Sequence, residues 1–458
     1  MPRFILIPSF VVCAIALAPG AAQSASLNGQ ISAYLRPYIA SGNFSGSILV
    51  AESGKTIFEN AYGLSDVHSQ AANSVDTKFH IASLSFQFTA AAAMRLAEQG
   101  MLSFDTKVSK IVPNVPNGEK ITIRNLLREN SGLRDPNDLP GFDDLLAFHQ
   151  TPETVVQFIR GRPPVHEPGA PSEDEERSAY NLLALIIEKK TGLRFKDAMR
   201  REVFAPLKMT ESGVDDDGPI AAPVALGHVD SGAVNLKPAP RIHFSAKPGN
   251  GSAYSTVGDE HRWLAGFFSH SFLSDADRQE ILSWGHGYGW IRTVNHGLKE
   301  PAYFMSGEGP GFASFIIYLP KLEAEIIILS NAQMPIPTPI GFDLAAMLED
   351  RDYHAPELRA APLAADEVSQ VIGRFKFGVD FYRPNATLEL GTGPGGLMLK
   401  WPGGPDSPVL VTDGHHFIDR HYWTRFSVDD DATGHAAELT FGKFKGQRSP
   451  DNPSPSTD

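Results

Sequence analysis

The sequence predicts an α+β fold, an antiparallel sheet flanked by helices, followed by a small C-terminal all-β, barrel-like domain. Three observations carry this. "SGSILVAESGKTIFENAYG" (Ser45 to Gly63) reads as two strands around a Ser53-Gly54 turn. "GFASFIIYLPKLEAEIIILSNA" (Gly311 to Ala332) is a second hairpin, and helical patterns fill the chain between the two. From Val371 the texture changes to short alternating strands such as "GRFKFG", "ATLELG", "LMLKW" and "TRFSVD". Two hairpins at opposite ends of a helical middle imply one sheet built from both ends of a catalytic-size domain.

Each element has a local signal. The N-terminus carries Arg3, an apolar run and then small residues, so residues 1–25 read as a secretory signal peptide cleaved near Ala25. "FHIASLSFQFTAAAAMRLAEQG" (Phe79 to Gly100) is a helix with Ser83 in its first turn and a glycine stop. Thr151-Pro152 starts a helix with a cap residue and proline at the first helical position. "NLLALIIEKKTG" (Asn181 to Gly192) is a helix apolar all round. Residues Gly213 to Gly251 are dense in Pro, Gly and Asp and read as irregular, and another helix starts near Thr256. The catalytic-size domain is thus expected at 26–352, a linker at 353–370, the all-β domain at 371–447 and a disordered tail at 448–458.

Composition limits the partners. The 458 residues are 42% hydrophobic and 20% charged, a globular balance, and the net charge of -13 argues against nucleic acid or an anionic membrane surface. No internal apolar run is long enough to span a bilayer. The only cysteine, Cys13, falls in the signal segment, so the processed chain would carry no disulfide and no thiolate. Secretion, or export to a bacterial periplasm, is the expected localisation. The histidines show no metal-ligand spacing, and no metal or cofactor is expected. Oligomeric state is not written in the sequence.

A serine in the first turn of a helix suits a nucleophile, because the helix dipole favours an alkoxide. It still needs a proton acceptor. The residue one turn on, on the same helix face, is Phe86.

The segments "FHIASLSFQFTAAAAMRLAEQGML", "IRNLLRENSGL", "YNLLALIIEKKTG", "SAYSTVGDEHRWL" and "GPGFASFIIYLPKLEAEIIILSN", in that order, resemble the serine β-lactamase and penicillin-binding-protein-like hydrolases. The nearest group within them holds class C β-lactamases, D-aminopeptidases, DD-peptidases and related esterases. The resemblance covers roughly Ser32 to Ala332 and implies a β-lactamase/transpeptidase-like fold, with a small peptide-like or ester substrate. It carries the nucleophile over to Ser83 of the Ser-x-x-Lys motif. The lysine falls on Phe86. The Tyr-x-Asn motif falls on "SEDEERS" (Ser172 to Ser178), with neither residue present. The Lys-Thr-Gly or His-x-Gly motif falls on Met305-Ser306-Gly307. A His-Thr pair that relatives carry is here Glu129-Asn130.

Phe86, Ser85, Met305, Ser306 and Gly307 are therefore the expected pocket, with Phe86 as a wall beneath the serine. Glu175, Glu176 and Glu308 are candidate acids or bases. Against that, Ser172 followed by Glu175 is also a capping-box pattern, and acidic residues favour a helix start without any chemistry. Three functions follow: a serine hydrolase with altered machinery, a pseudoenzyme that binds a peptide or cell-wall fragment, or a pocket repurposed for carboxylate acid/base chemistry.

Overall fold

The computed structural model describes residues 19–449 apart from 172–174, 232–234, 270, 294–296, 354, 360, 394 and 405. Most of the expected signal segment, Ser172 and nearly all of the tail lie outside the described residues.

Helix α1 (Pro19–Ala40) precedes the hairpin β1 (Gly46–Glu52) and β2 (Lys55–Tyr62). Helices α2 (Ser85–Glu98), α3 (Arg177–Thr191) and α4 (Val257–Phe268) follow. The other sheet strands are β3 (His286–Gly287), β4 (Trp290–Thr293), β5 (Ala302–Gly309), β6 (Phe312–Leu319) and β7 (Ala324–Ser330). Strand order is β3-β4-β5-β6-β7-β1-β2. The two ends of the domain meet at β1 and β7, paired antiparallel from Gly46 opposite Ser330 to Glu52 opposite Ala324.

Both sheet faces are covered, so the central strands are apolar at nearly every position rather than at alternate ones. Ile48, Val50, Phe315, Ile326 and Ile328 face α1 and α5 (Pro337–Leu348), whose Tyr34, Leu35, Ile340 and Leu344 complete one core. Leu49, Ile316, Ile327 and Leu329 face the other way, toward the cluster that holds α2 and α3. The period-2 geometry of a strand divides one apolar run between two cores.

Two local differences from expectation stand out. The segment from Gly213 to Gly251 contains a two-stranded ribbon, His228–Ser231 with Asn235–Pro238, too short for its alternation to register in sequence. The expected linker ends in a helix, α6 (Ala365–Val371), begun by the backbone N–H of Ala364 donating to Glu367 at 2.7 Å.

Eight strands, β8 (Gly373–Lys376) through β15 (Phe444–Arg448), close into an antiparallel barrel. Its interior is its own, filled by Phe375, Leu388, Leu399, Phe426 and Leu439. It docks beside α1 and the turn that follows it. The buried Arg420 donates from Nε to Asn43 Oδ1 at 2.6 Å, and Trp423 packs on Tyr38 with ring centroids 5.4 Å apart. Deleting residues from Pro362 onward should therefore leave a soluble N-terminal domain that melts several degrees lower, because Tyr38 and Asn43 lose their cover. Failure to recover any folded truncated protein would mean that the two parts form one cooperative unit.

Candidate active site

Ser83 is placed by a backbone turn that ordinary residues avoid. Ala82, buried and not a glycine, has φ 48°, and Ala82–Leu84 form a single 3-10 turn before α2 begins. Left-handed backbone at a non-glycine residue costs on the order of 1 kcal/mol or more, and such strain concentrates at functional positions. As one of the first N–H groups of the helical run, the Ser83 N–H lies outside its ladder of bonds.

Strand β5 runs against this turn. A Cβ added to Gly307 would stand 2.8 Å from the Ser83 nitrogen and 2.7 Å from the Ile81 carbonyl oxygen, so only glycine permits the approach. β4 pairs with β5 only as far as Phe304. From Met305 to Gly309, among the described residues, the strand pairs with β6 alone, and at Gly307 the serine turn lies over its face, where Ser314 of β6 also donates to the Ile81 carbonyl at 2.7 Å.

The decisive contact lies opposite. The Ser83 hydroxyl donates to Glu175 Oε2 at 3.2 Å. The same oxygen accepts from Arg177 Nη2 at 2.8 Å, and Arg177 Nη1 donates to Asp135 Oδ2 at 2.6 Å. Ser83, Glu175, Arg177 and Asp135 thus form one connected chain. Burial works against the Arg177 charge, but Glu175 and Asp135 outweigh it and hold its pKa above the usual range. Glu175-Glu176-Arg177 has the spacing of Tyr-x-Asn, so Glu175 stands in the tyrosine place and Arg177 in the asparagine place.

The other candidates separate cleanly. Glu176 is buried and turned away, accepting from Ser131 N at 2.8 Å, Ser131 Oγ at 2.6 Å and Gly132 N at 2.9 Å. It anchors a loop to the start of α3. The N-cap of α3 is Glu176, with no side-chain cap bond, and Ser172, the first residue of the capping-box pattern, lies outside the described residues. Ser85 is not a pocket wall either, since its hydroxyl accepts from Ala253 N at 3.1 Å inside the core. Phe86 is fully buried and stacks on Tyr180 with centroids 4.0 Å apart, and Met305 joins the same core. Both fill core volume behind the serine rather than lining the cleft. Strand alternation sends Ser306 to the opposite side of β5 from Gly307. Glu308 sits on the cleft rim.

Other residues complete the site. Glu129 is buried, and its pKa is pushed up to about 8 by burial and then by the charge of Glu175. It accepts from Glu176 N at 3.4 Å. His80, Phe244 and Lys247 line the same cleft as Ser83 and Arg177. The His80 ring stacks on Phe244 at 3.6 Å, and its Nε2 lies 2.8 Å from Asp215 Oδ2. The cleft has an empty volume of about 350 Å³, part of it open to solvent. Arg177 was findable from its spacing to Glu175. Lys247 had no signal, lying alone in a Pro/Gly-rich stretch.

The model of the β-lactamase family matches residues 31–341, more than half of the chain. The chain belongs to the β-lactamase family. Within that family it is 28% identical over 320 residues to Protein flp of Staphylococcus aureus (strain COL), covering 66% of this chain and 62% of that protein. This chain thus spans about three-fifths of the length of the curated relatives that match it first. It is 25% identical over 344 residues to Penicillin-binding protein 4* of Bacillus subtilis (strain 168), covering 69% and 71% of the two chains. The octameric penicillin-binding protein homologue from Pyrococcus abyssi superposes with TM-score 0.65 at 21% identity, covering 91% of this chain and 99% of its own. D-amino acid amidase from Ochrobactrum anthropi SV3 gives TM-score 0.61 at 21% identity, over 71% of this chain and all of its own. At these identities the structural likeness establishes the fold alone. Among the described residues no helix is long and apolar enough to cross a membrane.

Proposed function

We propose that this β-lactamase-family protein is an exported serine hydrolase that cleaves an ester or amide bond in a peptide-like substrate, with Ser83 as nucleophile and Glu175 as proton acceptor. The observation that carries the reading is the 3.2 Å bond from the Ser83 hydroxyl to Glu175. A nucleophile and base within hydrogen-bond reach, the base oriented by a third group, is the arrangement that activates a weak nucleophile. Arg177 is that third group, and Asp135 fixes Arg177 in turn.

In the reaction, Ser83 Oγ bonds to the acyl carbon while its proton passes to Glu175. Glu175 then gives that proton to the leaving alcohol or amine as the old bond breaks. Water, deprotonated by Glu175, attacks the acyl-enzyme; the proton returns to Ser83 as the acid departs. The Ser83 N–H, outside the helical ladder, supplies a donor where oxyanion charge develops.

A second reading, binding without turnover, is supported by Phe86 in the lysine position, since a phenyl ring accepts no proton. Fluorophosphonate labelling followed by intact mass separates the two. A Ser83 adduct, absent after Ser83→Ala, supports the hydrolase; no adduct supports the binding protein. Penicillins and cephalosporins should not be turned over at a useful rate by either. Their carboxylate would meet Glu308 on the β5 rim, and Met305, which takes the place of the motif cation, is buried in the core. Nitrocefin hydrolysis at the rate of working relatives, abolished by Ser83→Ala, would overturn this. N-terminal mass analysis of the protein recovered outside the cytoplasm tests export.

A further inference from the structure

The charged residues that line the cleft are not equally engaged. Arg177 is held by Glu175 and Asp135. His80 is held by Asp215, and Gln333 Nε2 donates to Glu308 at 3.5 Å. Lys247 differs. Among the described residues its ammonium has no hydrogen bond and no ion pair, and its contact is the face of the Phe142 ring, 5.6 Å from nitrogen to centroid. Its stem is laid along Gly251, where an added Cβ would stand 3.3 Å from Lys247 Cδ. The side chain is thus seated on the cleft wall rather than loose in solvent. A cation withdrawn from water with no hydrogen-bonded counter-ion is unfavourable: Arg177 adds repulsion, and Asp135 and Asp143 offset it through charge alone, without a hydrogen bond.

The geometry points to Lys247 as the anchor for a carboxylate on the substrate, so that the preferred substrate is an ester or amide whose acyl group carries a carboxylate near the scissile carbonyl. This rests on the proposed role of the Ser83 cleft. Lys247 and Ser83 line one cleft of about 350 Å³, which places the anchored group and the reacting carbonyl on the same small substrate. Lys247 also supplies the positive charge that Glu308, the β5 residue on the cleft rim, does not. Charge-assisted bonds of this kind are roughly twice as strong as neutral ones.

The test compares mono-p-nitrophenyl glutarate with p-nitrophenyl valerate, which match in length and differ in the terminal carboxylate. For the wild-type protein the ratio of kcat/KM, glutarate over valerate, should be on the order of ten or more. Lys247→Met should bring the ratio close to one, mainly through KM, and Lys247→Arg should keep most of it. A wild-type ratio near one, or an unchanged ratio in Lys247→Met, overturns the proposal while leaving the hydrolase reading intact. Equal collapse of kcat on both esters would instead make Lys247 the proton acceptor and also overturns it. If neither ester turns over, calorimetric binding of glutarate decides: weaker binding by Lys247→Met than by wild type upholds the anchor although hydrolysis has failed, and equal or absent binding refutes it.

Discussion

Glu175→Gln should lower the turnover of p-nitrophenyl esters by roughly a hundredfold or more while leaving the melting temperature nearly unchanged, since a positioned general base contributes about 10²–10⁴ in rate. Glutamine keeps the shape of glutamate, and its amide oxygen can still accept from Arg177 and from the Ser83 hydroxyl. What it cannot do is take a proton. The loss should appear in kcat, because the serine and the cleft walls that hold substrate are unchanged. Ser83→Ala should remove the remaining esterase activity and the fluorophosphonate adduct together. If Glu175→Gln retains wild-type kcat, the 3.2 Å contact is a resting hydrogen bond and another group accepts the proton.

Phe86→Lys, which restores the residue that the family motif carries, should damage the protein rather than repair it. Phe86 is fully buried and stacked on Tyr180. Removing that ring and burying an ammonium in its place should cost about 3–5 kcal/mol, and a fall in Tm on the order of 10 °C follows for a domain of this size. Glu129, the buried acid near Tyr180, is the natural partner for such an ammonium. Pairing would require it to ionise, which burial opposes by raising its pKa to about 8. Esterase activity should not rise, because Glu175 already occupies the tyrosine place and no tyrosine is there to complete a lysine-dependent relay. A large gain in esterase rate with an unchanged melting curve would show that the rest of the family machinery is intact.

The sequence by itself determined the elements whose signals are local. The hairpins that open and close the sheet, the helix carrying Ser83, the helix ending at Gly192 and six of the eight barrel strands announce themselves by periodicity, caps and turns within a short window, whereas His416–Asp419 and Phe444–Arg448 do not. It also marked Ser83 and the absence of a lysine at Phe86. It did not choose between Glu175 and Glu176. Adjacent acids before a helix look the same whether they cap it, anchor a loop or face a nucleophile. Only the packed structure separates them: one carboxylate meets Ser83 and Arg177, and its neighbour is consumed by the amides of Ser131 and Gly132. Glu129, Arg177 and Lys247 come to the serine from separate parts of the chain. Their roles depend on burial, on which neighbours take their hydrogen bonds and on which charges remain unpaired. Those are properties of tertiary contacts, and no window of sequence contains them.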